Sequence, residues 1–140
     1  MKIRILINII VAGILISAWS VSEHTVKKDS TYQRTKNEKA AMEHFLKGNI
    51  AESKGQIPEA ILEYQDALRF DSSAGIFYSL GKAYFKLNKL ANALEHGKQA
   101  IKLEPENLEY YKLVANIYTV AHNLDSASAM YNKTLSIDST

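Results

Sequence analysis

Residues 74–107 read AGIFYSLGKAYFKLNKLANALEHGKQAIKLEPEN, and this stretch decides the fold. Phe77, Leu80, Gly81 and Tyr84 fall at i, i+3, i+4 and i+7, which lines one face of a helix. After Asn88-Lys89 the period resumes through Leu90, Ala93, Leu94, Ala100, Ile101 and Leu103. The reading is two amphipathic helices joined by a tight turn. The pattern recurs on both sides. Gly48, Gly81 and Ala115 stand at intervals of 33 and 34 residues, and Ala60, Ala93 and Ala127 keep the same intervals. Ala67, Ala100 and Thr134 follow suit, then Leu68, Ile101 and Leu135, then Phe70, Leu103 and Ile137. Asp71, Glu104 and Asp138 close the units, trailed by Ser72, Pro105 and Ser139. Seven columns in one register mark an internal repeat.

The spacing predicts helices over 38–54, 57–70, 74–87, 90–103, 108–121 and 124–137. Gly55, Asn88 and His122 occupy the turn positions, where a left-handed or otherwise irregular residue ends a helix. Pro58 sits in the first turn of its helix, where a missing N–H costs little. Gly48, Gly81 and Ala115 lie on the first helix of each pair and Ala60, Ala93 and Ala127 on the second. Small side chains at both places let antiparallel helices approach closely. One pair cannot bury its apolar face alone, so the pairs must stack. The expected fold is all-α: a solenoid of three helix-turn-helix units over about 41–73, 74–107 and 108–140. Gly97 lies in mid-helix at a cost of roughly 1 kcal/mol relative to Ala, marking either a close packing contact or a soft point.

These residues resemble the tetratricopeptide repeat, a 34-residue helix-turn-helix unit whose pattern runs aromatic, Leu-Gly, Tyr, Ala, aromatic, Ala, Pro. The second unit supplies Phe77, Leu80-Gly81, Tyr84, Ala93, Ala100 and Pro105, with Gly97 in place of an aromatic. The third supplies Tyr111, Val114-Ala115, Tyr118, Ala127, Tyr131, Thr134 and Ser139. In the first, the most degenerate, the matching positions are His44, Lys47-Gly48, Ala51, Ala60, Tyr64, Ala67 and Ser72. The resemblance implies a right-handed superhelix whose concave face, lined by the first helix of each pair, holds a peptide or partner segment. Carried over by position, the groove residues are Phe45, Asn49, Tyr78, Lys82, Phe85, Lys112 and Asn116, with Met42, Glu52, Ser79, Lys86, Glu109, Leu113 and Val120 around them. The aromatics would give rigid contact area, and the Asn amides would bond a bound backbone as donors and acceptors. The lysines would favour an acidic ligand, and the aromatics an apolar one. Chaperone-tail clamps of this family place Lys and Asn one turn apart on the first helix, Asn on the next first-type helix and Lys/Arg on the third. Only Asn49 matches, and Phe45, Ser79, Glu109 and Leu113 occupy the other positions, so that role is not expected.

Outside the repeat, Lys2 and Arg4 lead into an apolar run from Ile5 to Ile16 and then Ala18-Trp19-Ser20. This describes a secretory signal peptide cleaved after Ser20, or a membrane anchor with Trp19 at the interface. Either places the rest of the chain across a membrane, periplasmic or secreted if cleaved and tethered if not. Residues 21–40 form a basic polar linker of net charge +2, with Ser22 to about Thr35 read as a flexible tether. Residues 41–140 carry ten basic and twelve acidic side chains, which disfavours nucleic acid as a partner.

Chemistry is not evident. The 140-residue chain has no cysteine, which excludes disulfides, thiolate metal sites and cysteine nucleophiles. His24, His44, His96 and His122 show no metal-ligand spacing, and the isolated glycines make no phosphate loop. No catalytic residue, metal or cofactor is expected. His44 and His122 read as structural, in the aromatic and turn columns. The third unit ends without a polar cap, so Met130, Tyr131, Leu135 and Ile137 are expected to be partly uncovered and to suit self-association. The functional expectation is an exported or membrane-tethered adaptor that assembles protein complexes through its groove. The alternatives are a self-associating structural module and the N-terminal interaction domain of a larger protein.

Overall fold

A computed structural model describes residues 30–138. The signal or anchor reading of residues 1–20, and the first part of the linker, lie outside the described residues. The chain divides into two compact units, 1–37 and 38–140. In the first, residues 30–37 are helical and exposed, with Thr35 Oγ1 donating to the Thr31 carbonyl at 3.0 Å. This corrects the flexible-tether reading at residues 30–35. That stretch holds neither Gly nor Pro, and an exposed helix needs no apolar stripe, so absent periodicity is not absent helix.

The second unit is a run of helices. Residues 38–53 form α1, followed by α2 (Ile57–Leu68), α3 (Ala74–Lys86), α4 (Leu90–Leu103), α5 (Leu108–Val120) and α6 (Leu124–Asp138). No strand occurs among the described residues. Every boundary from the end of α1 onward lies within two residues of the expected one. The turn inside each pair explains that agreement. Gly55, Asn88 and His122 all adopt left-handed backbone, at φ of +76°, +56° and +57°. Gly55 N donates to the Glu52 carbonyl (3.0 Å) and Gln56 N to that of Ala51 (2.9 Å). Asn88 and Lys89 repeat the two bonds to Phe85 and Tyr84, and His122 and Asn123 to Thr119 and Tyr118. Three identical helix stops satisfy carbonyls the helices leave unpaired.

Close packing follows from the small columns. Ala60 and Ala93 are fully buried, and Ala127 nearly so. A Cβ on Gly81 would stand 3.3 Å from both the Ala93 carbonyl oxygen and the Gly97 nitrogen, so α3 lies almost on the backbone of α4. On Gly48 it would meet the Tyr64 ring at 2.5 Å. Between pairs, bulky side chains fill the space. Tyr64 of α2, Leu80 of α3, and Val114 and Ile117 of α5 are the largest fully buried residues. Gly97 belongs to this contact. Its missing side chain admits Val114, whose Cγ2 would be 2.8 Å from a Cβ there. Of the two readings of Gly97, the structure gives close packing.

Among the described residues, no helix is long and apolar enough to cross a membrane.

Candidate functional site

On α3, Tyr78, Lys82, Phe85 and Lys86 recur at i, i+4, i+7 and i+8; on α5, Glu109, Lys112, Leu113 and Asn116 recur at i, i+3, i+4 and i+7. Each set therefore lines one face, and the two faces meet in a groove of about 230 Å³. Five of the seven residues named from the sequence come together here: Tyr78, Lys82, Phe85, Lys112 and Asn116. Phe45 lines a separate pocket of about 320 Å³, with Ala41 and Met42 of α1 and Gly75 and Ile76 of α3. Asn49 lines neither. It is exposed on α1, where its Oδ1 accepts a 2.8 Å bond from the Tyr64 hydroxyl. Ser79 is buried, on the side of α3 that meets Tyr64, so its place among the groove residues is corrected.

The electrostatics also differ from expectation. Glu52 of α1, its side chain only 12% exposed, accepts from Lys86 Nζ at 2.6 Å and from the Tyr64 hydroxyl at 2.8 Å. Lys82 Nζ lies 3.7 Å from the same carboxylate and 5.5 Å from the centre of the Tyr78 ring. Lys112 pairs with Glu109 at 2.8 Å. All three groove lysines thus face a carboxylate from within, but the two carboxylates offset only two of the three charges. Burial pushes the Glu52 carboxyl up, but the bonds from Lys86 and Tyr64 and the Lys82 charge outweigh it and hold it below its ordinary value. Burial, with Glu52 alongside, pushes the Tyr64 phenol well up. Tyr78 is raised by burial and by the charges of Glu109 and Glu52. Neither phenol is a proton donor to solvent near neutrality. Nor is Tyr110, pushed up to about 12 by burial and by its bond to Glu104.

The third unit repeats part of this network. Tyr131 donates to Asn116 Oδ1 at 2.7 Å, as Tyr64 does to Asn49. Asn116 therefore spends an oxygen lone pair internally, whereas the single Tyr64 proton is contested between Asn49 and Glu52. In the middle unit the Tyr is Gly97 and the Asn is Lys82, so both partners are replaced together. That joint loss was the signal in the sequence for a Tyr–Asn pair. Glu52 was harder to see, because its partner Lys86 lies one full repeat away.

Away from the groove, Tyr131 is 40% and Leu135 65% exposed, while Met130 and Ile137 are half-buried. His44 stacks on Phe70 (ring centres 5.9 Å apart) and hydrogen-bonds Glu63 at 2.8 Å. His96 lies between Phe77 and Tyr84, with ring centres 6.0 and 5.4 Å away. Its Nδ1 has no hydrogen-bond partner, and burial lowers its pKa against the opposing charge of Glu95. Among the described residues no group of three or more His, Asp or Glu could hold a metal ion.

Two family models match, one described as a TPR repeat over residues 48–88 and one as a tetratricopeptide repeat over 74–107. Solved structures agree. The Arabidopsis OM64 TPR domain superposes with a TM-score of 0.70 at 20% identity, over 72% of this chain and 84% of that one. The first TPR of Spaghetti (RPAP3), bound to HSP90 peptide SRMEEVD, gives 0.70 at 23% identity, over 74% and 82%. MamA gives 0.67 at 26% identity over 69% of this chain, which spans only 57% of MamA. Residues 48–107 thus carry tetratricopeptide repeats, and the chain has the fold of tetratricopeptide-repeat domains.

Proposed function

We propose that this chain is an exported or membrane-tethered adaptor that binds a segment of another protein in the groove between α3 and α5, assembling a complex without chemistry of its own. The observation that carries the reading is the groove itself, in which aromatic, lysine and amide side chains stand around about 230 Å³ of open space. Structures with the same fold support a peptide ligand, since two RPAP3 domains are bound to an HSP90 peptide. The charged and apolar character of residues 1–20 supports export or tethering. A second reading, self-association through α6, is favoured by the exposure of Leu124 and Leu135, at 67% and 65%. Photo-crosslinking in cells from Tyr78 and from Leu135 tests both. A heavier hetero-adduct from Tyr78 is the expected result and would name the partner. Self-adducts from Leu135 with none from Tyr78 would replace the adaptor by the structural module. The same gel reports whether residues 1–20 are removed.

A further inference from the structure

We propose that the pocket between α1 and the start of α3 receives a tyrosine side chain presented by another protein, its ring against Phe45 and its hydroxyl donating to the Asp71 carboxylate. This site is separate from the groove and does not rest on the groove reading. The fold itself supplies the template, because the same place occurs twice in the stack. Ala41, Phe45, Asp71 and Ile76 line the pocket. At the repeat intervals of 33 and 34 residues they correspond to Ala74, Tyr78, Glu104 and Tyr110. At that second junction Tyr110 of α5 fills the space. Its ring centre lies 5.1 Å from that of Tyr78, it packs beside Ala74, and its hydroxyl donates to Glu104 Oε2 at 3.0 Å. Tyr110 is thereby buried.

At the first junction the counterpart of Tyr110 is Ile76, which is shorter and carries no hydroxyl. The surroundings of the ring are kept. Ala41 is buried like Ala74, Phe45 is aromatic like Tyr78, and Asp71 offers a carboxylate like Glu104. What differs is that about 320 Å³ stands open, and that among the described residues the Asp71 carboxylate has no hydrogen-bond or salt-bridge partner. Phe45 packs on Tyr64, with ring centres 5.7 Å apart, so its ring is already held for an incoming one. Met42 lines the pocket while 57% exposed, and its flexible thioether can close over a ring. A phenylalanine would fill the volume but give Asp71 nothing. A phenol supplies both the ring and the proton of a charge-assisted hydrogen bond.

The test is saturation-transfer NMR on the full chain in mild detergent, with detergent alone as the blank. The probes are acetyl-Gly-Ser-Tyr-Ser-Gly-amide and its Phe and Leu counterparts. On the wild type the Tyr peptide should bind about three- to tenfold tighter than the Phe peptide, with the Leu peptide weakest. Asp71→Ala should bring the Tyr peptide down to the Phe level and leave the Phe peptide unchanged. Ile76→Tyr rebuilds the second junction inside the first and should abolish binding of both. Asp71 is exposed outside the helices, so the wild type and Asp71→Ala decide the matter even where Ile76→Tyr loses its helical circular dichroism. Equal affinity for Tyr and Phe on the wild type overturns the assignment, as does a Tyr preference that survives Asp71→Ala. No binding up to about 10 mM peptide overturns it too. Dispersal of a self-associated chain by the Tyr peptide overturns the foreign occupant in favour of a second copy. None of these outcomes touches the groove, which the Tyr78 crosslink tests by itself.

Discussion

At the scale of single residues, Gly97 shows how tertiary packing overrides local propensity. Alanine there would gain about 1 kcal/mol as a helix former. Its Cβ would also meet Val114 Cγ2 at 2.8 Å, and Val114 is fully buried and stiff at χ1. Overpacking of that kind costs about 1–3 kcal/mol, so Gly97→Ala should destabilise despite the propensity gain. Combined with Val114→Ala it should cost less than the two single changes added, with a coupling of about 1 kcal/mol or more in a urea-melt cycle. Strict additivity would show that this contact is not what keeps the glycine. His96 gives a pH signature. The unfolded chain takes up its proton near 6.5, while the buried ring with its unpartnered Nδ1 resists protonation to lower pH. The unfolded state then binds more protons, and stability falls as pH drops through that value. His96→Leu should flatten the melting temperature against pH in this window, and an unchanged slope would assign it to other groups. The sequence marked Gly97 as a departure from the repeat but not its neighbour, and it did not mark His96 as buried. Val114 reaches Gly97 only because the pairs stack, and stacking distance is set by all the side chains between them.

At the scale of elements, the helices were legible because their stops are chemical. One residue per pair must enter left-handed backbone, and only a few residue types do so cheaply. His122 is the most costly of the three, exposed at φ +57° with no side-chain need for that shape. Replacing it by Gly should stabilise the protein by about 0.5–1 kcal/mol, since relief of strain exceeds the added freedom of the unfolded chain. Gly55→Ala, at φ +76° with open space around it, should cost about 1 kcal/mol through strain alone. Thermal melts of the two variants moving in opposite directions would confirm the account. What was not legible was residues 30–35, because periodicity reports a buried face and that helix has none. The groove faces of α3 and α5 followed from helical spacing, whereas the charge state of the groove did not. The pairing of Lys82 and Lys86 depends on Glu52 from another pair, a contact no local pattern encodes.

At the scale of the molecule, stability should grade along the stack. Seven residues of α3 and six of α5 are buried, whereas α6 buries only Ala127. In a repeat array each helix is held mainly by its neighbours, so a helix with one covered face opens at less than the global free energy. Amide hydrogen exchange should therefore be slowest in α3 and α5 and fastest in α6, with Tyr131 to Asp138 losing protection first. Tyr131 ties α6 to the groove through Asn116, so opening of α6 also frees the Asn116 amide. A partner held at that end of the groove should slow exchange in α6 without covering its outer face. The same measurement separates the two functional readings. Exchange in α6 that slows as protein concentration rises means that copies cover Leu124 and Leu135, by mass action. Exchange independent of concentration, but slowed by the groove partner, means that α6 is stabilised through the groove alone.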